Sequence, residues 1–339
     1  MENVRTPSSL ARDAYAVGIG RTPILPLQTE DGTIYAKLEW FNRFRSVKDR
    51  AAYFMIRGAE LEHKLTTNKT LVEASSGNTG IALANIARLL GYSAEIFVPA
   101  SSSPETLSRL RSSGARIVEI EDEFSRAGRV NIDASIRALN RRISEDAERF
   151  LNLDQYSNEA NTMGHVYTTG PEISSTLEKF TLVLVGIGTG GTVTGLATHF
   201  KKHLPDVKIV AAEPEPGHHI QGLKNLAVSE APEIIKRNLG KIDRWISVSD
   251  DDAVRGVREI LNKTGILVGL SSGSNYIAAR KILAENRSES IVTVFPDSGE
   301  KYREKYESIG IVKESEFDSI IDFTLRVPDS TLPCKFNGS

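Results

Sequence analysis

The segment Ser46-Val47-Lys48-Asp49-Arg50 places an amine where it could act as a nucleophile. Ser46 and Asp49 have a capping-box-like spacing, which puts Lys48 on the first turn of a helix. There the positive end of the helix dipole and the charge of Arg50 both disfavour a protonated amine. Such a lysine can form a Schiff base near neutral pH, although the same residues also suit a solvated surface lysine.

Three further loops each join a strand-like run to a helix-like run. Gly186-Ile187-Gly188-Thr189-Gly190-Gly191-Thr192 follows Thr181–Val185 and opens a helix. Its backbone N–H groups and the helix N-terminus make an anion cradle suited to phosphate. Gly186, Gly188 and Gly191 equally fit the dinucleotide GxGxxG pattern, with Glu213 in the place of the ribose-binding acid, so a nicotinamide-dependent oxidoreductase is an alternative at this point. Ser75-Ser76-Gly77-Asn78-Thr79-Gly80 offers hydroxyls, an amide and helix-start N–H groups to a carboxylate. Gly269-Leu270-Ser271-Ser272-Gly273, after Ile266–Val268, matches the GxSxG elbow of hydrolases. The last histidine is His219, so the hydrolase order of serine, acid and histidine fails. Ser271 is left as a helix cap or as a neutral hydroxyl facing a ligand.

Alternating elements must position these loops. Thr70–Ala74, Ala94–Val98, Arg116–Ile120, Leu182–Gly186, Ile209–Ala212 and Ile291–Phe295 have the apolar, β-rich character of buried strands. Thr79–Leu90, Thr192–Lys202, Asp251–Lys263 and Asn275–Glu285 have helical periodicity. Strands separated by such helices form parallel βαβ units, hence α/β architecture with ligands at the carboxyl ends of strands. A break falls near Leu151–Ala160, and Arg326–Ser339 is expected to be a loose tail. The 339 residues can bury a large core or two. A net charge of −2 without long basic clusters gives no footprint for nucleic acid or an anionic membrane. No apolar run approaches a membrane span, and Met1–Arg12 lacks the apolar core of a secretion signal. The single cysteine, Cys334, supports neither a disulfide framework nor a thiolate metal cluster, and the expected compartment is the cytoplasm.

Taken in order, these loops resemble the β-family, or fold type II, of pyridoxal-phosphate enzymes, closest to cysteine synthases and cystathionine β-synthases. The resemblance spans roughly residues 15–305 and includes Gly20-Arg21-Thr22-Pro23, Asn42 with Ser46–Arg50, Ser75–Gly80 and Asp154-Gln155-Tyr156. It continues through Thr168–Ile173, Gly188–Thr192, Gly269–Gly273 and Pro296–Glu300. It implies two open twisted sheets flanked by helices. Residues 19–40 and 153–325 would form a large cofactor-binding domain. Residues 1–18 and 41–152 would form a small mobile domain, with 326–339 as a tail. Lys48 would be the Schiff-base lysine and general base. Gly188, Thr189, Gly190, Gly191 and Thr192 would hold the phosphate, Asn78 the ring hydroxyl and Ser271 the pyridine nitrogen. Ser75, Ser76, Gly77, Thr79 and Gln155 would hold the substrate carboxylate. In this family the glycine loop serves the cofactor phosphate rather than a dinucleotide.

The implied reaction replaces the β-substituent of an activated serine, O-phosphoserine or O-acetylserine, with sulfide to give cysteine. Another nucleophile would give cystathionine or a diaminopropionate-type product. A homodimer is implied as well. Two departures stand out. Arg43-Phe44-Arg45 replaces the family's usual Pro-Thr-Gly or Pro-Gly-Gly, which puts bulk and charge beside the cofactor. Lys224 falls where O-phosphoserine-using members place an arginine, and with Arg45 it is expected to meet that phosphate.

Overall fold

The computed structural model describes residues 6–122, 132–287, 289–326, 328 and 330–333, so Cys334 lies outside the described residues. Two sheets form the frame. The first contains β1 (Ile24–Gln28), β2 (Thr33–Leu38), β7 (Leu182–Gly186), β8 (Lys208–Pro214), β9 (Arg244–Val248) and β10 (Ile291–Phe295). The second contains β3 (Thr70–Ala74), β4 (Ser93–Pro99), β5 (Arg116–Ile120) and β6 (Phe150–Asn152). Their orders are β1-β2-β10-β7-β8-β9 and β5-β4-β3-β6. All pairings are parallel except the β1–β2 hairpin.

Sequence dictates this layering. Leu182–Val185 and Ile291–Phe295 are buried along their length, as central strands of a parallel sheet covered on both faces must be. The hairpin closes through Thr29, whose N–H and hydroxyl both donate to the Gly32 carbonyl. β1, β2, β6 and β9 were not legible as strands, being short or mixed with polar residues. Ile266–Val268, expected to be extended and strand-like, carries only a single bridge from Val268 to Ser298. Part of the expected loose tail is pinned, because Leu332 exchanges two backbone hydrogen bonds with Ile24.

The α-helices are α1 (Pro7–Ala16), α2 (Lys48–Leu61), α3 (Asn78–Leu89), α4 (Pro104–Ser112), α5 (Asp133–Glu145), α6 (Glu159–Gly164), α7 (Gly170–Thr176), α8 (Gly191–His203), α9 (Glu233–Asn238), α10 (Asp250–Thr264), α11 (Leu270–Glu285), α12 (Arg303–Ser308) and α13 (Glu314–Thr324). Leu10, Tyr53, Phe54, Leu83 and Ile96 share one core, which joins α1, α2 and α3 to the four-stranded sheet. Trp40, Tyr276, Phe295 and Tyr306 belong to a core on the six-stranded sheet. None of the described helices is long and apolar enough to cross a membrane.

A fully buried charge cluster joins α2 to the six-stranded sheet. Arg50 makes two hydrogen bonds to Glu39 (2.6 and 2.8 Å) and two to Glu172 (2.6 and 2.8 Å). Lys37 adds a 2.8 Å ion pair to Glu172 and donates to the Thr22 carbonyl. Burial alone would raise both carboxyl groups. The Arg50 and Lys37 charges override it and hold Glu172 and Glu39 below the usual carboxylate range.

Just before α2 the chain takes a left-handed turn at Arg45, with φ 74°. A side chain there costs about 1–2 kcal/mol, whereas glycine gives back roughly 0.4–1 kcal/mol through unfolded-state entropy. Arg45→Gly should therefore stabilise the fold by about 0.5–1 kcal/mol. The denaturant midpoint should rise with an unchanged slope, and a lower midpoint would contradict the strain.

Candidate active site

The carboxyl ends of β3, β6, β7 and β10 release the chain into loops around one cleft of about 300 Å³. Lys48, Ser75, Ser76, Gly77, Asn78, Thr79, Gln155, Gly188, Thr189, Gly190, Thr192, Lys224 and Ser271 all line it. Gly191 is the expected site residue outside that lining; it sits behind the loop, against Asn161. Arg43, Phe44 and Arg45 are also absent from the lining. Arg43 donates to the Val17 carbonyl and stacks on Phe44, while Phe44 packs on the α1–α3 core. The expected bulk beside the cofactor is therefore turned away, and Arg45 does not join Lys224.

α2 begins at Lys48, as its sequence requires, but its capping differs from a regular box. The Ser46 hydroxyl accepts from the Lys48 N–H (3.3 Å), and the Asp49 carboxyl accepts from the Phe44 N–H (2.6 Å). Both side chains thus fasten the turn that presents Lys48. Burial lowers the Lys48 amine to about 8; Asp297 opposes the shift and Lys301 adds to it. An amine in that range can be neutral and nucleophilic at mildly alkaline pH.

Facing it is the loop after β7. Gly190 takes φ 89° as the residue before α8, a conformation that disfavours any side chain. The N-cap residues of α8, α2, α3 and α11 make no side-chain cap, and the first turns of all four helices border the cleft, where the Ser46, Ser75 and Thr189 hydroxyls accept from the Lys48, Gly80 and Gly191 N–H groups. Four helix N-termini thus aim partial positive charge at one volume. A phosphate-bearing, carbonyl-bearing cofactor fits these residues: a glycine cradle at a helix N-terminus for the anion and a low-pKa amine for the carbonyl. Behind the cradle His165 hydrogen-bonds Thr169 (2.8 Å) and Thr192 (3.2 Å). Burial, reinforced by Arg50, pushes its imidazole down to about 3 and keeps it neutral.

Thr79 donates to Gln155 Oε1 (2.7 Å), and Gln155 Nε2 donates to Glu73 (3.4 Å). Burial pushes Glu73 up to about 8, so its carboxyl is largely neutral at neutral pH. Asn78 Nδ2 donates to Asp297 (2.8 Å), which also accepts from Lys301 (2.7 Å) and Tyr302 (2.9 Å). Arg109 of α4 reaches Glu300 beyond β10 (2.5 Å), spanning from the four-stranded sheet's helices to the other sheet. Lys224 lies with Nζ 4.6 Å from the Tyr156 ring centroid.

Asp297 was legible only as part of a motif. Lys301, His165 and Asn161 were not singled out, because each joins the site through a partner distant in sequence, Asn78, Thr192 and Thr189 in turn; the i, i+4 spacing of Asp297 and Lys301 was a local signal. Glu213 does not line the cleft, and its carboxyl accepts from the Leu226 N–H (2.5 Å), so it is not placed as the ribose acid of a dinucleotide site. Ser271 lies in the first turn of α11 and faces the cleft; Gly269 is the N-cap. Among the described residues no cluster of three or more His, Cys, Asp or Glu is placed to hold a metal.

Fold and site together define an α/β enzyme that binds a phosphate-bearing cofactor next to a reactive lysine. Residues 15–297 match the pyridoxal-phosphate dependent enzyme family, and the chain belongs to that family. Its cofactor is pyridoxal phosphate. A cysteine synthase from Aquifex aeolicus is 36% identical over 309 residues, covering 87% of this chain and 92% of its own. The structure of O-acetyl serine sulfhydrylase isoform 3 from Entamoeba histolytica superposes with a TM-score of 0.78 at 28% identity, covering 96% of this chain and 98% of that one. O-ureido-L-serine synthase gives the same TM-score, 0.78, at 28% identity, covering 90% and 97%.

The ionisation of Lys48 can be read directly. In cofactor-free protein its rate of acylation, followed by peptide mass spectrometry, should reach half-maximum near pH 8. Asp297→Asn should move that midpoint down and Lys301→Met should move it up, because Asp297 opposes the shift and Lys301 supports it. A wild-type midpoint near the ordinary lysine value of 10.5 would contradict the burial of this amine.

Proposed function

We propose that this enzyme catalyses β-replacement on an activated L-serine, O-phosphoserine or O-acetylserine, with sulfide as nucleophile and L-cysteine as product. The observation that carries the proposal is the Lys48 amine, lowered to about 8, in one cleft with the glycine cradle and the Ser75–Thr79 loop. The cysteine synthase and O-acetyl serine sulfhydrylase likenesses support the same chemistry.

Bound pyridoxal phosphate supplies an electron sink for negative charge at the α-carbon of an amino acid. Lys48 would hold the cofactor through its amine, and its Nζ, when free, would take the α-proton of the bound amino acid and return it. Gly188, Thr189, Gly190, Gly191 and Thr192 hold the phosphate. Asn78 meets the ring hydroxyl. Ser271 would offer the ring nitrogen an uncharged hydroxyl in place of a carboxylate. Ser75, Ser76, Gly77, Thr79 and Gln155 hold the substrate carboxylate at the start of α3, where the helix dipole assists. Arg109 and Glu300 draw the two sides of the cleft together and help to exclude water. The family resemblance also supports a homodimer acting in the cytoplasm.

Lys224 reads the leaving group. Its ammonium is a charge-assisted partner for phosphate, a contact contributing about 1.5–3 kcal/mol. At about 1.4 kcal/mol per decade, Lys224→Ala should lower kcat/KM for O-phosphoserine roughly ten- to hundredfold and leave O-acetylserine nearly unchanged. Both serines, with sulfide and a panel of other nucleophiles, should be assayed by mass spectrometry in wild type and variant. Equal losses for both substrates would remove Lys224 from leaving-group recognition. Absence of cysteine from either serine, with product from another nucleophile, would overturn the sulfide assignment.

A further inference from the structure

We propose that Asn161 is a positioning residue that ties the phosphate cradle to the carboxylate subsite by orienting one donor in each. The inference rests on the roles given above to Thr189 and Gln155. Asn161 lies on α6 and is 2% exposed. Its Nδ2 donates to the main-chain carbonyl of Gln155 (2.7 Å) and to Thr189 Oγ1 (3.1 Å). A carbonyl can only accept, so the amide nitrogen must face the two loops, and both of its hydrogens are used there.

Each bond has a consequence in the cleft. Thr189 Oγ1 accepts from Asn161 and, at 3.5 Å, from the Gly191 N–H. Its lone pairs are thereby engaged, and its own proton is left to donate into the cleft that it lines. A hydroxyl so oriented suits a phosphate oxygen. On the other side, the fixed Gln155 carbonyl anchors a side chain whose Oε1 accepts from Thr79 and whose Nε2 donates one hydrogen to Glu73. The second Nε2 hydrogen remains for a substrate carboxylate. Thr189 follows β7 of one sheet and Gln155 follows β6 of the other, so Asn161 spans the seam between them. Gly191 makes room for it: a Cβ there would lie 2.0 Å from Asn161 Oδ1.

The test compares the Asn161→Ala and Asn161→Asp holoenzymes with Thr189→Val and Gln155→Ala. Three quantities are read: cofactor dissociation constant, phosphorus NMR resonance of the bound cofactor, and KM for the activated serine. Thr189→Val should weaken cofactor binding alone, and Gln155→Ala should raise KM alone. Asn161→Ala should do both, each by about tenfold, and should shift the phosphorus resonance in the direction seen for Thr189→Val. Asn161→Asp should lose more cofactor affinity than Asn161→Ala, because the new carboxylate turns the Thr189 proton inward and repels phosphate. Should Asn161→Asp fail to fold, Asn161→Ala introduces no buried charge and carries the test alone. Wild-type values in Asn161→Ala, beside losses in the Thr189 and Gln155 variants, would overturn the tie and leave the functional reading standing. A loss in only one of the two affinities would overturn it equally. No loss in Thr189→Val or Gln155→Ala would remove the reading on which it rests.

Discussion

A buried guanidinium fixes where the chemistry happens. Arg50 spends its hydrogen bonds on Glu39, Glu172 and the Thr22 hydroxyl, and none of these groups reaches solvent. Glu39 follows β2, Glu172 lies on α7, and Arg50 belongs to the first turn of α2. The helix bearing Lys48 is thereby locked to the six-stranded sheet while its apolar face packs with the four-stranded one. Such clusters are worth little against a hydrophobic replacement of all members, but loss of one partner costs about 3–5 kcal/mol. The geometry of Lys48 is therefore over-determined: a charge cluster two residues after it, and Ser46 and Asp49 fastening the turn around it.

From that fixed point the electrostatics of the cleft follow. Four helices begin there, so the positive ends of their dipoles meet at the cleft. The same field and the same burial that suit a phosphate disfavour an ammonium, which is why an anion cradle and a low-pKa lysine belong together. The second layer is chosen to avoid competing charge. His165 is neutral behind Thr192, and Glu73 is largely neutral behind Gln155, so neither adds a charge to the groups that meet an anion.

Much of this was legible in the sequence, for identifiable reasons. The central strands are continuous apolar runs, and the loops that follow them carry glycines and hydroxyls that a plain turn does not require, so Gly188–Thr192 and Ser75–Thr79 could be expected at a ligand cleft, whereas Lys48 was distinguishable from a surface lysine only through the family resemblance. In the hairpin, β1 was missed because Pro26 interrupts it and β2 because Lys37 does, yet that lysine is buried as a partner of Glu172. Arg43, Phe44 and Arg45 were expected beside the cofactor, since side-chain direction is not set by chain proximity. The left-handed turn at Arg45 helps to send them outward. Asn161, His165 and Lys301 were missed for a different reason: the contacts that bring them to the site, to Thr189, Thr192 and Asn78, join segments far apart in sequence, and only the i, i+4 spacing of Asp297 and Lys301 hints at any of them.

Three lysines, Lys48, Lys224 and Lys301, line the same cleft, so the identity of the one that carries the cofactor is the sharpest question. Lys301 is paired with Asp297, and Lys224 lies over Tyr156, while Lys48 sits on the first turn of α2 with its amine lowered to about 8 and its turn fastened by Ser46 and Asp49. Borohydride reduction of the holoenzyme followed by peptide mapping answers it. The expected result is a pyridoxyl group on Lys48 only, lost in Lys48→Ala together with the cofactor's visible absorbance. A pyridoxyl group on Lys224 or Lys301 in the wild type, or a reducible adduct retained by Lys48→Ala, would contradict the account.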